Sequence, residues 1–105
     1  MTTDSREQLE KLVEYCDQIL KDLKYITEHM NYKYFMEHGF ELHFGITDTA
    51  DSTERIFKGA QGLLNSSTSS QKNVKEMLDA YPVMIEQLDL CKRVISILHR
   101  SYPTN

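Results

Sequence analysis

Residues 9–30, LEKLVEYCDQILKDLKYITEHM, decide the fold. Leu9, Leu12, Cys16, Ile19, Leu23, Ile26 and Met30 step by three and four positions without a miss. That period lays one apolar stripe along a helix, and the stripe has to be buried against another helix. Near the other end, Val74, Met77, Tyr81, Met84, Leu88, Cys91, Ile95, Leu98 and Tyr102 keep the same spacing. Two such seams predict an all-α fold. The expected form is an elongated antiparallel bundle of three long, or four shorter, helices with coiled-coil-like heptad seams.

Outward from the first seam, a helix is predicted over about 5–30. Asp4 followed by Glu7 offers a capping box at its start. Val13 and Leu20 widen the apolar stripe. On the polar face, Glu7–Lys11 and Asp17–Lys21 are favourable pairs and Glu10–Glu14 is repulsive, each worth only about 0.2–0.5 kcal/mol.

Residues 31–44, NYKYFMEHGFELHF, hold five of the chain's ten aromatics: Tyr32, Tyr34, Phe35, Phe40 and Phe44. Alternation of Phe40, Leu42, Phe44 and Ile46 with polar residues also fits a strand. A lone strand would have no partner, so an aromatic-rich helical segment over about 32–64 is predicted. Gly39, Gly45 and the cap-like Asp48 and Asp51 mark where it could break, near 45–50.

A Ser-rich linker, NSSTSSQK, fills 65–72. Its serines read as a flexible connector, with phosphorylation the alternative. A final helix is predicted over about 73–102, its start falling between Ser70 and Asn73. Asn73 with Glu76 offers a capping box, and Pro82 should kink the helix near Leu78–Tyr81.

The length of 105 residues fits a single helical domain, 1–105. No apolar run nears the roughly 20 residues of a membrane span. The amino terminus, MTTDSREQLE, lacks the charge and apolar core of a signal peptide. A cytoplasmic or nuclear location is expected. The net charge is −4 and basic residues are sparse; the densest group is Lys92, Arg93 and Arg100 on the last helix, so DNA is not an expected partner. Cys16 and Cys91 fall on the seams as small hydrophobes, without metal or redox spacing. If the first and last helices ran antiparallel, these thiols would lie level; if parallel, they would lie apart.

Candidate chemistry is thin. Glu37, His38, Glu41 and His43 are the densest polar group, but their spacing is not the Glu-x-x-His of bundle metal sites. No metal and no cofactor is expected. Arg93 and His99, separated by five residues, with Tyr102 following, form a pattern that resembles the Arg-x4–6-His signature of the HEPN ribonucleases. The resemblance covers about ten residues. It implies a small helical dimer cleaving RNA with Arg93 and His99 converging across the interface. Val94 departs from the polar residue that usually follows the arginine there.

The aromatic segment gives the main functional expectation. Tyr32, Tyr34, Phe35, Met36, Phe40 and Phe44 exceed what one helix face can hide in a slender bundle, and Glu37 and Glu41 beside them are expected to join in partner binding; the alternative is that the rings form the bundle's own cap or central layer. Aromatic residues are enriched at protein interfaces. No Lys or Arg lies between Tyr34 and Glu54, which favours a basic partner surface. The chain thus reads as a non-catalytic interaction module. Its expected partner is another protein with a basic or apolar helical surface, a second copy of the chain included.

Overall fold

A computed structural model describes residues 3–29, 32–66 and 70–101, with side chains described outside 32–46 and 97–101. The described residues form four helices: α1 Thr3–His29, α2 Tyr32–Asn65, α3 Gln71–Leu78 and α4 Tyr81–Ser101. None of them is a strand. Together the helices make an all-α bundle measuring 50 × 20 × 18 Å. The long dimension matches the length of α2, since 34 residues at about 1.5 Å each span about 51 Å.

α1 is the central rod. Leu9, Leu12, Cys16 and Ile19 are fully buried, and Leu23 and Ile26 nearly so. Each fully buried Leu or Ile side chain contributes about 1.5–3 kcal/mol over an exposed one. Val74, Met84 and Cys91 from the third rod and Ala60 from α2 complete the buried core. Met77, Tyr81, Leu88 and Ile95 pack against it, partly buried. Met30 and Tyr102, the last residue of each seam, lie outside the described residues.

α2 runs unbroken through 45–50. Asp48 and Asp51 therefore cap nothing; they are exposed within the helix. Asp4 likewise sits inside the first turn of α1, where a carboxylate still favours the positive end of the helix dipole.

Within the expected start between Ser70 and Asn73, the cap of the third rod, formed by α3 and α4, is Ser70. The Ser70 Oγ accepts from the Asn73 backbone N–H at 3.1 Å, with Ser70 itself extended at φ −75°, ψ 146°. Serine captures a free N–H of the first turn in this way. α3 ends at Leu78, and Asp79–Ala80 interrupt the rod before α4. The cause is Pro82, whose ring nitrogen cannot donate to the Leu78 carbonyl. Ala80 N–H instead bonds Met77 O at 3.1 Å, closing α3 in a tighter turn. Pro82 thereby falls in the first turn of α4, where a missing N–H costs nothing.

Two contacts fix the topology. The Tyr15 ring packs at a tilt of 50° against that of Tyr81 with centroids 5.6 Å apart, and further along, Asp22 meets Lys92 at 2.9 Å. Residue numbers rise together, so α1 and α4 are parallel. Against α3, α2 runs the other way: Ile56, Gly59 and Leu63 line one side of a groove whose other side holds Ala80, Met77 and Asn73. The order is up-down-up. Cys16 therefore lies beside the start of α4, about 9 Å along the axis from the level of Asp22 and Cys91. Both thiols are buried and free.

Candidate interaction surfaces

α1 supports all three other helices, but they do not all support each other. α2 packs along α1 and meets α3 near its C-terminal end, whereas α2 and α4 scarcely approach one another among the described residues. For the first half of α2 the helical backbone alone is described. Tyr32, Tyr34, Phe35, Met36, Glu37, Phe40 and Glu41 all belong to that half; their backbone is helical, and their side chains lie outside the described residues. The same holds for His38, His43 and Phe44.

The second half of α2 meets α3 across a shallow groove. Ile56, Gly59, Leu63, Met77 and Ala80 make it apolar, and Asn73 and Glu76 stand at its edge. Gly59 matters here: a Cβ on it would come within 2.5 Å of the Met77 Cε, so the glycine leaves room for the methionine tip.

α4 exposes more apolar surface than its seam predicts. Val83 is 49% exposed, Ile85 44% and Leu90 53%. Val83 and Leu90 are one heptad apart, each one position before a buried seam residue, Met84 and Cys91. With the half-buried Gln87 and Val94 between and beyond them, they form a second stripe on the shoulder of the helix. The main seam is what sequence periodicity finds first. The shoulder stripe has the same seven-residue repeat, Val83 to Leu90 and Gln87 to Val94.

Polar groups inside the bundle are few. The Asp22 side chain is only 7% exposed. Gln18 Nε2 donates to its Oδ1 at 2.8 Å, and Lys92 Nζ donates to the same oxygen at 3.3 Å. Lys92 Nζ also stands 2.9 Å from Oδ2, a Coulombic contact without hydrogen-bond alignment. Burial, aided by the Asp22 charge, pushes the Cys91 thiol up to about 11, and burial alone pushes Cys16 to about 11. Both are protonated, unreactive thiols at neutral pH. The Tyr81 phenol is raised by its hydrogen bond to Tyr15.

Arg93 is exposed on α4 and paired within the helix to Asp89 Oδ2 at 2.7 Å. The His99 side chain and Tyr102 lie outside the described residues. Among the described residues no three His, Cys, Asp or Glu side chains converge as metal ligands, and no helix is long and apolar enough to cross a membrane. No family model matches the chain, and neither a curated protein nor a solved structure matches it.

Proposed function

We propose that this chain is a non-catalytic protein–protein interaction module, an assembly subunit, adaptor or small inhibitor, docking through the first half of α2. What supports this reading is that the first half of α2 gathers five of the chain's ten aromatics on one continuous helix. Tyr32, Tyr34, Phe35, Met36 and Phe40 are more apolar surface than one packed helix face hides. Apolar bodies with polar tips suit a surface that alternates between water and a partner. Glu37 and Glu41, in a stretch without Lys or Arg, favour a partner with a basic or apolar helical surface. The setting would be cytoplasmic or nuclear.

The test is a double substitution, Tyr34→Ala with Phe35→Ala, compared with the unaltered chain in crosslinking capture from cell extract. Loss of a captured partner with helicity and melting temperature retained is the expected result. A lower melting temperature with capture unchanged would make these rings core residues and end the reading. Arg93→Ala and His99→Ala should leave capture intact; loss of an RNA-cleaving activity in those variants would make the chain an enzyme instead.

A further inference from the structure

The shoulder stripe of α4 carries charge in a self-complementary order. Taking Val83 and Leu90 as d positions and Gln87 and Val94 as a positions, the flanking g positions are Glu86 and Arg93. One is acidic and the next, one heptad on, is basic. Both are exposed. On the opposite flank the e positions are Met84 and Cys91, buried in the chain's own core.

This asymmetry selects an orientation. In a parallel pair of helices, g residues face e residues of the other chain. Here the e residues are Met84 and Cys91, which are inaccessible, so Glu86 and Arg93 would find no partner. In an antiparallel pair, g faces g. Aligning a with d across the pair sets Val83 against Val94 and Gln87 against Leu90. The same register sets Glu86 of one copy against Arg93 of the other, and two-fold symmetry makes each of these contacts twice.

We infer that α4 is the interface of an antiparallel homodimer, in which a second copy covers Val83, Leu90 and Val94 and is held in register by reciprocal Glu86–Arg93 ion pairs. The occupant is a second copy because its charge order is the complement of this one, and because a two-fold contact needs only one such surface. The intrahelical Asp89–Arg93 pair does not prevent it. Both groups are more than half exposed, and such pairs contribute only about 0.3–0.5 kcal/mol. Four layers of one helix pair make a small interface, so the dimer is weak and concentration-dependent. The inference rests on the chain being an interaction module, and it adds a second surface, separate from the one carrying Tyr34 and Phe35.

Sedimentation of the full chain, from roughly micromolar to millimolar concentration at low salt, tests it. The unaltered chain should pass from monomer to dimer. Glu86→Arg alone and Arg93→Glu alone should each weaken dimerisation about tenfold or more, because opposite charges become like charges in both symmetric pairs. The combined exchange, Glu86→Arg with Arg93→Glu, should restore it. Circular dichroism should be the same for all four chains, since both positions are exposed. A monomer at every concentration, or a double exchange that stays as weak as the single ones, overturns the dimer. Neither result touches the capture measured through Tyr34 and Phe35, so the two readings fail separately.

Discussion

Lys92 reaches across from α4 to set its ammonium 2.9 Å from the carboxylate of Asp22 on α1, 70 positions earlier in the chain. The two ends of the pair differ in setting: Asp22 is 7% exposed and Lys92 54%. A buried carboxylate that loses its cation is costly, but the lysine's access to water softens the loss. Lys92→Ala should therefore destabilise the chain by about 1–2 kcal/mol in urea unfolding. Replacing both, Asp22→Leu with Lys92→Ala, should recover much of that. A Lys92→Ala chain as stable as the original would show that the pair holds nothing.

Thr53 is fully buried on α2, and its Oγ1 finds no hydrogen-bond partner among the described residues. A hydroxyl stripped of water without a replacement is a net loss. Thr53→Val keeps the shape and removes the polar atom, so it should stabilise by about 1 kcal/mol. A shift of the urea midpoint to lower concentration would instead mean that the hydroxyl is satisfied in solution.

The cysteines set a pH dependence. In the folded chain both thiols titrate near 11, against 9.0 for an ordinary cysteine. Between these values the unfolded chain releases protons that the folded chain keeps, so the free energy of unfolding falls as pH rises. This contribution to stability is complete below pH 9 and disappears as pH climbs through about 11. At pH 8, iodoacetamide should label Cys16 and Cys91 far more slowly than in denaturant. Labelling at equal rates would place the thiols in water. The parallel arrangement adds that mild oxidation should not join them within one chain. A disulfide needs Cα atoms within about 7 Å, and their levels along the bundle differ by more than that.

Ser70 caps α3 from an exposed position, so its role can be tested without touching the core. Ser70→Ala should cost about 1 kcal/mol, and Ser70→Asp should cost almost nothing. Equal losses in both would assign the effect to the linker and not to the cap.

Much of this architecture is legible in the sequence, because burial follows the heptad. Every α1 seam residue from Leu9 to Ile26 is buried, and so are Val74, Met84 and Cys91. Pro82 likewise announces the interruption beside it, since its missing N–H acts locally. What periodicity misses is set by neighbours. Asp22 looks like a surface acid until Lys92 is placed beside it, and Thr53 looks like a surface threonine until α2 docks. The direction of α4 is also invisible to pattern, because a seam reads the same both ways; only Tyr15–Tyr81 and Asp22–Lys92 distinguish them. The helical backbone of the aromatic segment is legible in the sequence, since a lone strand there would have no partner. Val83 and Leu90 carry a sequence signal too, a heptad spacing one position ahead of the buried Met84 and Cys91.

The interruption at Asp79–Ala80 gives the third rod a joint. On its near side lies an eight-residue helix, too short to persist in water by itself. It holds its shape by resting Val74 and Met77 on the bundle. Because the hydrogen-bond ladder is already interrupted, this piece can lift away without unravelling the 21 residues beyond. Amide protons of Val74–Leu78 should thus exchange with deuterium well ahead of those at the middle of α4, marking the place where the fold first comes open.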